Sequence, residues 1–454
     1  MMRTPIVDFL QAYGESDRLR LHMPGHKGQG AWGFERYDLT EVKGADSLFE
    51  AEGIIAESEK NASRLFGCPT FYSTEGSSLC IRAMLFLISQ HAKERGESPL
   101  ILAGRNAHKV FLEGTALLDL EIEWLWGEGS SYLSCPLTAE YLKKIISSMK
   151  RRPTAVYLTG PDYLGNDLNW REIAEVCHRH GVLLAVDCAH GAYLRFLKPS
   201  RHPMDLGADL CCTSAHKTLP VLTGGAYLHV ASHAPSYLLE QAKRGLALFA
   251  STSPSYLILQ SLDSVNAILN EDYSKDLMRF SEKVAQTKQD LERVGYTFVG
   301  NEPLKLTVCT KVYGYLGVEF ADRLRDRGIE CEFADRDYVV LMLTPAIGED
   351  GLRRLRDQMC AIPRKVPVEE ATPAMTRPIS VMTVREALLS RSELVATELC
   401  KGRVLASASV GCPPAVPIAV CGERIDADVI EAFKYYGITH LWVVKSEIRT
   451  VEIC

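Results

Sequence analysis

From about residue 65 to 230 the chain alternates short apolar runs with amphipathic stretches. The runs at 100–102, 155–158, 182–186 and 225–230 are too short for helices and read as buried strands. Between them, residues 79–95 and 170–180 carry apolar positions at helical spacing, and the second pattern stops at Gly181, a residue suited to ending a helix. Helices alternating with short buried strands predict an α/β fold on a mostly parallel sheet covered on both faces. After Pro254 the pattern changes. Residues 255–294 read as one long helical region, followed by strand-like and helical segments to about residue 362. Residues 363–378 hold four prolines among polar spacers and mark a boundary. The remainder has its own elements, including segments at 381–389 and 440–444. The expected division is an N-terminal arm (1–30), a large domain (31–265), a smaller α/β domain (266–365) and a C-terminal α+β domain (366–454).

Composition narrows the class. With 454 residues, 46% hydrophobic and 24% charged, the chain is an ordinary globular sequence too long for one core. A net charge of -6 with no basic stripe argues against a nucleic-acid partner; Lys150-Arg151-Arg152, beside Pro153, reads as a solvated helix end. The opening Met1-Met2-Arg3-Thr4-Pro5 has no apolar stretch of signal-peptide type, and no window approaches a membrane span, so no membrane partner and a cytoplasmic location are expected. The 14 cysteines form no C-x-x-C pair, and several, such as Cys188 and Cys309, lie inside apolar runs. Buried thiols in a reducing compartment explain this better than disulfides or a metal site. Cys177, His178 and His180 resemble metal ligands only superficially, because neighbours one or two apart on a helix do not share a face.

Ligands in parallel sheets bind beyond the carboxyl ends of the strands, so the polar residues after each run are where chemistry is expected. After Phe71-Tyr72 comes Ser73-Thr74-Glu75-Gly76-Ser77-Ser78, a turn into a helix that offers backbone N–H groups and hydroxyls to a phosphate, or serves only as a cap. After 100–103 comes Arg105-Asn106-Ala107-His108-Lys109, whose histidine either covers a bound ring or caps a helix. After 182–186 comes Asp187-Cys188-Ala189-His190-Gly191-Ala192. A strand-end carboxylate needs a cation, either a protonated pyridine nitrogen or an arginine. After Cys211-Cys212 comes Thr213-Ser214-Ala215-His216-Lys217-Thr218, where a desolvated lysine would be an amine nucleophile. Taken in order, these features account for the phosphate, ring nitrogen and aldehyde of pyridoxal 5'-phosphate. The run Gly25-His26-Lys27-Gly28-Gln29-Gly30 follows no strand and lacks dinucleotide-binding spacing.

These motifs, with Leu21-His22-Met23-Pro24-Gly25-His26-Lys27-Gly28 near the start and Thr252-Ser253-Pro254-Ser255-Tyr256, resemble the ornithine/lysine/arginine decarboxylase family of fold-type-I pyridoxal-phosphate enzymes, in the short bacterial form without an N-terminal wing domain. The resemblance runs over nearly the whole chain. It implies that Lys217 carries the cofactor as a Schiff base, Asp187 keeps the ring nitrogen protonated and His108 stacks on the ring. It further implies that Gly76, Ser77, Ser214 and His216 hold the phosphate, that Ala189 and Thr252 belong to the cofactor site, and that His190 lies near the ring hydroxyl or the substrate carboxylate. The arm and the Thr252 segment would meet a second subunit in a homodimer with shared sites.

Two outer motifs depart from the family pattern. Asp46-Ser47-Leu48-Phe49-Glu50-Ala51-Glu52-Gly53 stands where the family has Asp-Asp-Leu-His-His-Pro-Glu-Gly, and Cys412-Pro413-Pro414-Ala415-Val416-Pro417 where it has Tyr-Pro-Pro-Gly-Ile-Pro. The implied reaction is decarboxylation of a basic amino acid, arginine ahead of lysine and ornithine, with Asp46, Glu50, Glu52 and Glu75 as candidate readers of the side chain. The alternatives are an aminotransferase or lyase on the same cofactor, and a non-catalytic homologue that binds it.

Overall fold

The structure, a computed structural model, describes residues 2–129, 131–374, 376–408 and 414–445; Cys412 and Pro413 of the altered C-terminal motif lie outside them. Seven strands form the main sheet: β1 (Thr70–Ser73), β2 (Leu100–Gly104), β3 (Glu121–Leu125), β4 (Ala155–Thr159), β5 (Leu183–Asp187), β6 (Leu210–Thr213) and β7 (Ala226–Val230). Their order is β1-β7-β6-β5-β4-β2-β3, and only β7 runs antiparallel to its neighbours. The strand runs are continuously apolar because both faces are buried. Ile101, Ala103, Tyr157 and Ala185 pack into one core layer, and Leu102, Val156, Leu158 and Leu184 into the other.

The first helices are α1 (Pro5–Gly14), α2 (Ile54–Phe66), α3 (Gly76–Glu94) and α4 (Lys109–Leu118). They are followed by α5 (Ala139–Ser148), α6 (Trp170–Arg179), the single turn α7 (Ala215–Thr218) and α8 (Ser236–Ala247). The helical region expected over 255–294 is two helices, α9 (Tyr256–Asn270) and α10 (Tyr273–Arg293). The chain leaves α9 at Glu271, whose ψ of -135° is not helical.

A second, antiparallel sheet has the order β10-β11-β9-β8, from β8 (Phe298–Val299), β9 (Lys305–Cys309), β10 (Phe333–Ala334) and β11 (Tyr338–Met342). The described residues of 363–378 contain no helix or strand. Beyond them the helix Val384–Leu389 packs on α4, and β12 (Ser392–Ala396) pairs antiparallel with β13 (His440–Val444). Among the described residues no helix is long and apolar enough to cross a membrane, and the described cysteines are free and mostly buried.

Candidate active site

The strand ends of the main sheet converge on one cavity of about 180 Å³. His108, Asp187, Ala189, His190 and Lys217 line it, together with Tyr163 and Glu332. Each side chain reaches it for a local reason. His108 is the N-cap of α4, its Nδ1 accepting from the Val110 N–H at 3.2 Å, so the cap and the cavity wall are one residue. Burial, then the nearby Lys217, pushes its pKa down to about 4, leaving a neutral ring. Asp187 ends β5 and is buried; Lys217 sits on the short turn α7, its backbone N–H donating to the Ser214 carbonyl at 3.1 Å.

The expected phosphate residues come together behind that turn. Ser214 donates its hydroxyl to Ser77 Oγ at 2.8 Å, which joins α7 to the N-terminus of α3. Gly76 opens α3 with φ +70°, a conformation that a side chain strains, and the space beside its Cα is open. His216 Nδ1–H donates to the Gly225 carbonyl at 3.0 Å. These four residues lie outside the cavity lining, and Thr252 is exposed and does not line the cavity of this chain either.

None of the four acids expected to read a substrate side chain lines the cavity. Both carboxylate oxygens of Asp46 accept from backbone N–H groups, among them Gly53 at 2.8 Å and Ile55 at 3.1 Å, so its charge caps the N-terminus of α2. Glu75 accepts from the Ser251 N–H at 2.8 Å, and Glu50 and Glu52 are exposed. The carboxylate that lines the cavity besides Asp187 is Glu332, just before β10, whose Oε1 accepts from the Tyr163 hydroxyl at 2.9 Å. Sequence reasoning missed it because its element lies outside the main sheet. Pro414, Ala415 and Val416 of the altered C-terminal motif complete the wall, and the Lys109 N–H donates to the Ala415 carbonyl at 2.9 Å. The cluster Cys177, His178 and His180 is dispersed: His178 Nε2 lies 3.0 Å from Asp209, while Cys177 is buried.

The sequence matches the description "Orn/Lys/Arg decarboxylase, major domain" over residues 4–302. The chain belongs to that family. It is 29% identical to the uncharacterized protein YaaO of Bacillus subtilis, over 95% of this chain and 93% of the other. It is 28% identical to an arginine decarboxylase of Halalkalibacterium halodurans, over 93% and 91%. Among solved structures, the lysine decarboxylase LdcF of Francisella novicida superposes with a TM-score of 0.79 at 15% identity, covering 98% of this chain and 81% of that one, a likeness of fold. The fold is therefore the fold-type-I arrangement that the motifs implied.

The residues fit the family's cofactor, pyridoxal phosphate. Among the described residues Asp187 accepts from the Ala189 N–H at 3.2 Å, the Tyr157 hydroxyl at 3.4 Å and the Cys212 thiol at 3.6 Å. Among the described residues no arginine pairs with it, and burial raises its pKa against the pull of Lys217. A buried carboxylate so placed is complemented by a cation such as a protonated ring nitrogen. Thr159 Oγ1, also in the wall, is buried without a hydrogen-bond partner.

Proposed function

We propose that the protein releases carbon dioxide from arginine, ahead of lysine and ornithine, at the cavity around Lys217. Family membership carries the reaction class and the cofactor; curated arginine decarboxylases matching over more than nine-tenths of the chain support the substrate. The observation that carries the reading is a carboxylate, Glu332, in the same cavity as the amine of Lys217. A guanidinium or ammonium held there would keep the substrate in the cavity that His108, Asp187 and Lys217 also line, and the planar guanidinium matches a carboxylate with two hydrogen bonds.

When bound, pyridoxal phosphate supplies an electron sink for the pair left by the departing carbon dioxide. The chain supplies the rest. Lys217 is the amine that attaches the cofactor and the candidate to return a proton to the substrate carbon. Asp187 keeps the ring nitrogen protonated, and neutral His108 covers the ring face without adding a competing charge. Gly76, Ser77, Ser214 and His216 hold the phosphate at the N-terminus of α3.

We read the assembly as a homodimer. The exposed apolar side chains of the arm, Leu19 at 85% and Leu21 at 82%, with Met23, and Trp32 just after it, need cover, and Thr252 would reach a site only in a partner. The division into arm, large, small and C-terminal domains at residues 30, 265 and 365, and a cytoplasmic location, belong to the same reading. Incubation of the cofactor-loaded protein with arginine, lysine and ornithine tests the activity. Carbon dioxide and the matching amine from arginine are the expected products; keto acid without carbon dioxide, or no product from any of the three, overturns the reading.

A further inference from the structure

His190 is held from both sides by lysines. Lys217 Nζ lies 3.0 Å from its Nε2, and Lys305 Nζ lies 2.9 Å from its Nδ1. Lys305 opens β9 of the second sheet, is buried, and also donates to the Asp162 carbonyl at 3.0 Å. It does not line the cavity, so it acts on the site only through its neighbours. We propose that Lys305 is a positioning residue that fixes His190 as the Nε2–H tautomer and so presents the Lys217 amine in its neutral, nucleophilic form.

The argument is one of donors and acceptors. A lysine ammonium donates and cannot accept, so Nδ1 of His190 must be the acceptor toward Lys305. A neutral imidazole then carries its one proton on Nε2, and the 3.0 Å contact to Lys217 forms only if the lysine nitrogen accepts. A Lys217 ammonium would leave two donors facing the same short contact.

Burial drives the His190 pKa well down, so the ring is neutral. The edge of the Tyr163–His190 ring pair, with centroids 5.1 Å apart, adds no charge. Burial lowers the Lys305 pKa, and the neighbouring acids Glu302, Asp162 and Glu332 oppose that shift and favour the ammonium. Asp162 accepts from Ser134 and Asn166, and Glu302 from Tyr193, so both carboxyl groups are themselves anchored. The placement depends on the loop after β4: the Thr307 hydroxyl on β9 donates to the Leu164 carbonyl at 2.9 Å, and the Lys305 side chain passes beside Gly165, which has φ +85°. The second sheet is thereby wired to the amine of the first.

The inference rests on Lys217 being the attachment point, and the experiment separates the two. Apo protein is mixed with pyridoxal phosphate, and the covalent linkage is trapped with borohydride and located by mass spectrometry. Lys305→Met is expected to slow attachment at Lys217 by about tenfold or more and to shift the pH midpoint of the bound cofactor's absorbance, with partial recovery in Lys305→Arg. In a His190→Phe background the same Lys305→Met change should have an effect under about twofold, since coupled residues are not additive. Attachment at the unaltered rate, or equal slowing in both backgrounds, overturns the proposal. Imidazole nitrogen shifts of the unaltered apo protein test it without a variant: Nε2–H is expected, and Nδ1–H overturns it. If Lys217→Ala still traps cofactor, the attachment reading fails instead.

Discussion

Arg105 and Glu423 form a buried ion pair, Nη2 to Oε2 at 2.8 Å, across 318 residues of chain. Arg105 follows β2 on the way to His108, and its guanidinium stands 5.2 and 5.0 Å from the rings of Trp124 and Trp126. Glu423 also accepts from the Val420 N–H at 2.7 Å. The pair fastens the C-terminal segment, and with it the Pro414–Val416 wall, to the strand end that leads to His108.

Breaking that pair from one side leaves a buried charge. Glu423→Ala should cost about 3–5 kcal/mol of stability, read as a lowered denaturant midpoint. The double change Arg105→Met with Glu423→Leu should recover most of it, because two apolar groups need no partner. If Glu423→Ala and the double variant unfold together, the cost comes from lost packing rather than from the stranded arginine.

In the proposed reading Asp187 sets the electronic demand of the site. Asp187→Asn keeps an oxygen for the Ala189 N–H but removes the charge that would hold a ring proton. Cofactor should still attach to Lys217, while amine release falls by about 100-fold or more. Absorbance and single-turnover carbon dioxide release read the two effects separately. Loss of attachment together with activity would make Asp187 a structural residue.

Most of this frame was legible in the sequence, and the reason is local. Runs such as 155–158 and 182–186 are apolar throughout because both sheet faces are covered, and the polar residues after them must lie at the carboxyl edge. Lys217, Asp187 and His108 are each within four residues of a strand end. Lys305 and Glu332 come instead from the second sheet or its approach, and only the packing of that sheet on the first brings them in. One local signal did exist: Lys305 begins β9 between Leu304 and Leu306, and a lysine in a strand buried over its first four residues must have a partner. Asp46 misled for the opposite reason. An acid seven residues ahead of Gly53 gives no sign that five backbone donors will use it.

Glu332 makes a claim about substrate choice. Glu332→Gln removes the charge and keeps an acceptor for Tyr163. For a cationic substrate KM should rise about 10- to 100-fold, the worth of a charged hydrogen bond, with kcat changed far less. Steady-state kinetics with arginine and lysine measure this. An unchanged KM would move recognition of the side chain to another subunit or element.

The last prediction concerns pH and the N-terminal arm. Asp263 on α9 accepts from the Ile6 and Val7 N–H groups at 2.9 and 3.1 Å and from the Ser58 hydroxyl, which ties α1 to α2 and α9. Burial raises its pKa from 3.8 to about 6 despite these donors. A raised folded pKa means that the folded chain holds this proton more tightly than the unfolded one. Its contribution to stability is therefore complete below about pH 4 and is lost as pH rises through about 6, amounting to about 3 kcal/mol. Asp263→Asn keeps an oxygen for the two N–H groups, cannot ionise, and should escape that loss. The unfolding free energy of the native protein minus that of the variant should thus fall by about 3 kcal/mol between pH 4 and 7. A difference that stays constant over this window would show that the carboxyl titrates normally and that the α1 tie is indifferent to its charge.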